Sequence, residues 1–353
     1  MDLAAIKKAL SERKTIEAQL FDGLLFTGLD SLRPIFLNCQ FKNCVFRNLK
    51  FLAAVFEHCS FDNVSFEKLE MTVNTFTHCS FNKVGIIHSN WKNTTFNQSK
   101  INGLTISDSI IAQSDFKGLQ LVNCHFANSD FRQSNFSKCH LLAMQMQNIQ
   151  WSRSTATEAL FDRGSFLKVD MTACNLTGAE LQGAEFKQCI FFHCSLMKAT
   201  IDKAAILEPI DIRHLNCFQA TIRQLSLEKM DLTASVFQET KLTAIDFSDS
   251  QLNTVNFMGA VIDDCIFNDC DLKKSTFDSA IIKDTDFENT CLDSTNFDHS
   301  ELKNCRFSGA DMNGASLHAV KEYQVNWNIK SGEYMKKTNP DLLKAEQWDA
   351  ETA

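Results

Sequence analysis

Residues 56–81 read FEHCSFDNVSFEKLEMTVNTFTHCSF, with Phe or Met at every fifth position. The pattern extends far beyond this stretch. From Phe21 to Ile206 there are 38 positions at this step, and all but Ser31 and Ala156 are Phe, Leu, Ile, Met or Trp. At Pro209 the register slips by one residue. From Ile212 to Leu317 there are 22 further positions, and only Cys217 is not a large apolar residue. Of the 30 Phe in the chain, 28 lie on these two combs, so the spacing is a design rule and not chance. A step of five fits neither the 3.6-residue period of a helix nor the two-residue period of a strand. A repeat of this kind has to be read before any globular-domain argument from length.

The residue two before each comb position is mostly small. Twelve of the 14 Cys stand there: Cys39, Cys44, Cys59, Cys79, Cys124, Cys139, Cys174, Cys189, Cys194, Cys265, Cys270 and Cys305. The other three places of each pentad carry nearly all the charge, as CDLKKSTFDSA (270–280) and GADMNGASL (309–317) show. One large and one small side chain, two apart, share the inward face of a short extended segment. The chain must then turn before the next pentad or its apolar face leaves the core. A turn at each pentad closes a square coil, and stacked coils pair their backbones. Over 19–320 the chain resembles the pentapeptide-repeat family, whose consensus is A(D/N)Lxx. The resemblance implies an all-β solenoid, a right-handed quadrilateral β-helix of about 15 coils with four pentads each. In the second half Phe recurs every ten residues from Phe237 to Phe307, which puts Phe on two opposite walls and aliphatics on the other two.

Three regions follow. Residues 1–18 form an N-terminal capping helix, with Asp2 as N-cap and Leu3, Ile6 and Leu10 on one face. Residues 19–320 form the β-helix, with an irregular first turn at Ser31 and Pro34 and a kink at the slip near 207–212. SRSTATEA (152–159) keeps register. Residues 321–353 form a C-terminal tail, where Trp327, Tyr334 and Trp348 either cover the last coil or make a homodimer contact.

The interior leaves little room for catalysis. There is no CxxC, no GxSxG and no phosphate-binding glycine loop among only 12 Gly. The expectation is no enzyme, no cofactor and no metal. HCSF occurs twice, but its Cys points in and its His points out, so His58, Cys59, His78 and Cys79 cannot converge on one ion. Free thiols in such number fit a reducing compartment. The N-terminus does not read as a secretory signal, and no apolar run reaches the roughly 18 residues of a membrane span. A cytoplasmic protein without membrane contact is expected. Net charge of −8 argues against direct nucleic-acid binding.

Charge is concentrated late in the chain. Residues 261–301 hold eleven acids, Asp263, Asp264, Asp269, Asp271, Asp278, Asp284, Asp286, Glu288, Asp293, Asp298 and Glu301, against Lys273, Lys274 and Lys283. They read as an acidic docking face for a basic partner. Two functions are compatible with such a chain. One is a non-catalytic protein-interaction scaffold or adaptor, with a bacterial secretion or effector pathway as one setting. The alternative rests on resemblance to quinolone-resistance members of the family, which imitate duplex DNA and bind gyrase.

Overall fold

The structure is a computed structural model that describes residues 1–352, with side chains described through Glu346. It contains two compact units, residues 1–191 and 192–353.

In the first unit each strand is two or three residues long and centred on an inward residue. It pairs in parallel with the strand twenty residues on. Phe21, Phe41, Phe61 and Phe81 stand in one column. Phe26, Phe46, Phe66 and Ile86 form the next. Phe36, Phe56, Phe76 and Phe96 form the third. The fourth starts with Ser31, Phe51 and Met71 and continues through bridges joining residues 70, 90, 110, 130 and 150. Twenty residues per turn and five per step give four walls. The inward positions from Ile16 to Phe191 number thirty-six, or nine turns at four each.

The corner between walls falls two residues after each inward side chain. There the backbone is left-handed: φ is 52° at Asn38, 50° at Asn43, 51° at His58 and 55° at Lys68. This region costs an L-residue roughly 1–2 kcal/mol, least for Asn and Asp. The stacked neighbours hold every corner in it, whatever its residue. Val73 (φ 62°) is the poorest fit, because it is β-branched.

The small inward residue closes each coil. Cys59 donates its Sγ–H to Phe36 O (3.4 Å) and Cys79 to Phe56 O (3.3 Å). Where serine replaces cysteine, its Oγ also accepts the N–H of the equivalent residue one turn back. Ser89 N donates to Ser109 Oγ (3.0 Å) and Ser109 N to Ser129 Oγ (3.1 Å). The N–H at this place is therefore outside the ladder between turns. That explains Pro34, which was expected to disturb the first turn. It is buried at a small-residue position, and its carbonyl still accepts from Val55 N (2.9 Å). Ser31 also keeps register, pairing with Phe51.

The second unit repeats the plan. Ile201, Ile222, Leu242, Ile262, Ile282 and Leu302 share one ladder, offset by twenty-one residues at its first step and by twenty thereafter. Phe257, Phe277 and Phe297 pile with ring centroids 4.7 and 4.9 Å apart and planes within 4°. Phe247, Phe267, Phe287 and Phe307 pile on the opposite wall at 4.7–4.9 Å. Across the interior the two files meet edge to face, Phe277 to Phe287 at 5.8 Å and 87°, the favoured geometry for aromatic quadrupoles.

The coil goes further than the comb. Glu322, Trp327, Gly332 and Lys337 continue the register of the inward series in a last turn whose strands still pair, Leu302 with Glu322 and Leu317 with Lys337, although Glu322 and Lys337 are exposed. Helix α1 (Leu3–Ser11) is capped by Asp2, whose carboxylate accepts from Ala5 N (2.8 Å), and buries Ile6, Ala9 and Leu10. Helix α2 spans Pro340–Thr352. No helix among the described residues is long and apolar enough to cross a membrane.

Replacing Val73 by Asn relieves the strained corner without touching the core. The variant is expected to be more stable by about 1 kcal/mol, measured by urea unfolding against Val73→Ala, which gains less.

Candidate partner-binding surfaces

A turn at every pentad distributes neighbouring residues among walls. Asp263, Asp264, Asp284 and Glu301 flank the Ile262–Leu302 column. Asp269, Asp286 and Glu288 flank Phe267 and Phe287 on the next wall. Asp271 and Asp293 flank Leu272 and Leu292 on the third, and Asp278 and Asp298 flank Phe277 and Phe297 on the fourth. The eleven carboxylates thus surround the second unit and do not gather on one face. Several also have structural partners. Asp298 Oδ1 accepts from Ser316 Oγ (2.6 Å) and His318 N (2.8 Å). Asp284 accepts from the Asn304 amide (2.7 Å). Asp286 and Glu288 both pair with Arg306, and Asp271 with Lys273 (3.6 Å).

The tail residues separate. Trp327 stacks on Phe307 at 4.5 Å and donates its Nε1–H to Glu322 (2.8 Å), continuing the aromatic file. It borders a cavity of about 330 Å³ with Leu317, Ile329 and Met335. Tyr334 is 86% exposed and covers nothing. The Trp348 side chain lies outside the described residues.

A cluster that the sequence pattern did not single out joins α2 to the coil. Glu346 Oε2 accepts from His299 Nε2 (3.2 Å) and His318 Nε2 (3.1 Å). On its other side His299 Nδ1 meets Asp278 Oδ1 (3.3 Å), while His318 Nδ1 accepts the Asn339 N–H (3.1 Å). The three residues offer ligand atoms within 4.8 Å of one another. The Asn339 contact decides the chemistry. It keeps Nδ1 of His318 unprotonated, so Nε2 carries the proton and donates to Glu346 instead of binding a cation. The arrangement fastens α2 and does not cradle a metal. Glu346, then Asp278, hold the His299 pKa above its ordinary value, and the two histidines hold Glu346 below its own.

The twelve small-column thiols are buried as the sequence pattern requires. Burial pushes Cys124 and Cys189 up to about 11 and Cys174 and Cys265 up to about 12, leaving little nucleophilic thiolate. His58 and His78 stack outside at 4.8 Å while Cys59 and Cys79 point in, so the two HCSF stretches form no metal site.

Comparison with known proteins returns two family models. One, described as a pentapeptide repeat region, matches residues 260–328, and one for pentapeptide repeats in eight copies matches 109–141 and 157–203. No curated protein matches. Among solved structures, HetL of the cyanobacterium Nostoc sp. strain PCC 7120, a pentapeptide-repeat protein involved in heterocyst differentiation regulation, is 13% identical. That match covers 67% of this chain and 87% of HetL, with a TM-score of 0.29. QnrB1, a plasmid-mediated fluoroquinolone resistance protein, is 13% identical over 72% of this chain and 98% of its own, with a TM-score of 0.15. The A-module of the Azotobacter vinelandii mannuronan C-5 epimerase AlgE6 is 9% identical over 96% and 95%, with a TM-score of 0.18.

The fastening of α2 depends on pH in a defined sense. The raised His299 contributes fully below its ordinary value of 6.5, and the contribution is lost as pH rises through the raised value. The lowered Glu346 contributes fully above its ordinary 4.5, and that is lost as pH falls through the lowered value. Attachment is therefore firmest between those two values. Amide exchange in 340–352, corrected for intrinsic rate, is expected to be slower at pH 6 than at pH 8. Glu346→Gln should abolish the difference.

Proposed function

The chain is a pentapeptide-repeat protein, and from that premise we propose that it acts as a non-catalytic protein-interaction scaffold. The observation that carries this reading is the division of labour within each pentad. Thiols and aromatic rings fill the interior. The outward positions offer rows of polar side chains fixed by hydrogen bonds between turns, such as Asn43 with Asn63 (2.8 Å) and Asn128 with Asn148 (3.0 Å). Side chains already held in place lose little entropy on meeting a partner. They form a surface suited to recognition and poor in the convergent polar groups that catalysis needs. An adaptor in a bacterial secretion or effector pathway, working in the cytoplasm, is the setting proposed for it.

One observation favours a second reading. Carboxylates on all four walls make the second unit acidic from every side, as a duplex is, so a gyrase-binding DNA mimic is the alternative. Against it stand the carboxylates neutralised by Arg306 and Lys273.

Affinity capture from the native host, followed by reconstitution from purified components, is expected to give a stoichiometric complex with one protein. Recovery of chaperones alone removes the scaffold. Gyrase supercoiling assays at micromolar protein are expected to show neither inhibition nor protection from a quinolone, and either effect would establish the mimic instead.

A further inference from the structure

The side wall of the second unit opens at the register slip. Ile210 lies two residues before inward Ile212, the place that other pentads fill with a buried small side chain. It is instead 64% exposed. Its departure leaves a hole in the column below Met230. The ladder parts at the same point. Thr200–Asp202 still pairs with Thr221–Arg223, and Leu225 and Ser226 pair onward with Ile245 and Asp246. Ala205–Leu207, however, is an edge strand, with no partner strand in the second unit among the described residues. A cleft of about 320 Å³ separates Ala204–Glu208 from Leu225–Met230. A second, of about 560 Å³, lies between Glu208–Arg213 and Glu228–Asp231. Ala204, Ile206 and Met230 reach 7–9% exposure at this opening, whereas Phe247 to Phe307 on the regular coils stay at 0%. The apolar interior lies just beneath the surface here. Around the mouth Glu208, Asp211, Glu228 and Asp231 outnumber Lys229 and Arg213, and Arg213 pairs with Asp211 (2.8 Å) and approaches Asp231 (4.0 Å).

We propose that this opening is a docking cleft for an extended, basic segment of a partner protein. The proposal deepens the scaffold reading and rests on it. An edge strand presents main-chain donors and acceptors that another strand satisfies best, so the occupant is extended and not helical. Apolar side chains on alternate positions of that segment meet Leu207, Ile210 and Met230. The positions between them carry lysine or arginine toward the acidic rim at Glu228 and Asp231.

The test uses a fluorescein-labelled peptide, Lys-Val-Lys-Val-Lys-Val, and fluorescence anisotropy with the full chain. Saturable binding is expected. Methylating every backbone amide nitrogen of the peptide keeps the charge but removes the main-chain donors, and should weaken binding about tenfold or more. Deleting Ile210 puts Pro209 two before an inward residue, the arrangement that Pro34, Ile35 and Phe36 already adopt. The deletion should close the cleft, raise Tm and abolish binding. Ile210→Ser leaves the register untouched and should weaken binding several-fold, which covers the case of a deletion that fails to fold. Equal binding of the methylated peptide, undiminished binding by either variant, or no saturable binding by the parent protein overturns the cleft. A partner captured equally well by the deletion variant would also overturn it while leaving the scaffold standing. Absence of any captured partner would strike the scaffold itself.

Discussion

Everything in this protein depends on the phase of a twenty-residue ladder. Apart from the N–H at the small inward position, backbone donors and acceptors meet counterparts one turn away, and each inward side chain sits on the one a turn earlier. The two requirements are independent, one electrostatic and one steric, yet both are met by the same count. The stack therefore tolerates much within a pentad and little between pentads. Residues as unlike as Lys68, His58 and Val73 all occupy left-handed corners, because the ladder on either side holds the backbone whatever the side chain prefers. Adding one residue is another matter, since it shifts both periodicities for everything beyond it.

The slip at 209–212 shows how such a shift is absorbed. The corner at Glu208 is kept, Pro209 follows it and Ile210 is expelled, after which Ile212 resumes the inward series. The cost stays local, in a parted strand pair and a hole beside Met230. The surrounding turns keep their pairing, as Ile201 with Ile222 shows. A regular solenoid wall is closed by construction, so an irregular count is the means by which such a wall gains an opening.

The sequence made the columns legible because a step of five is a direct statement of geometry. Phe257, Phe277 and Phe297 form one file, as their spacing requires, and Cys39, Cys59 and Cys79 line another. Other features were obscured by reading side chains where the backbone decides. Pro34 seemed disruptive only if its missing N–H were needed, and at the small inward position it is not. The comb stops at Leu317, but the ladder requires no apolar residue, so Glu322 and Lys337 continue it. The acids from Asp263 to Glu301 seemed to form one face because they are close in sequence, whereas corners every five residues send them to four walls. His299 and His318 come within reach through adjacent turns, but the third member of their cluster arrives on α2, whose path no repeat encodes.

This places chemistry where periodicity fails. Within the repeat, the small-column thiols are buried, rings are stacked, and outward side chains hydrogen-bond to their equivalents one turn away. A group engaged with its own copy above and below has little freedom to develop a distinct role. Near the last turn that symmetry ends, and Glu346 on α2 meets two histidines from adjacent turns. At the slip, Ile210 and the edge of Ala205–Leu207 lose their counterparts in the same way. Specificity in a chain built by repetition has to come from such breaks, because a partner that recognised only the regular wall would find the same rows of side chains at turn after turn and could not fix its position along them.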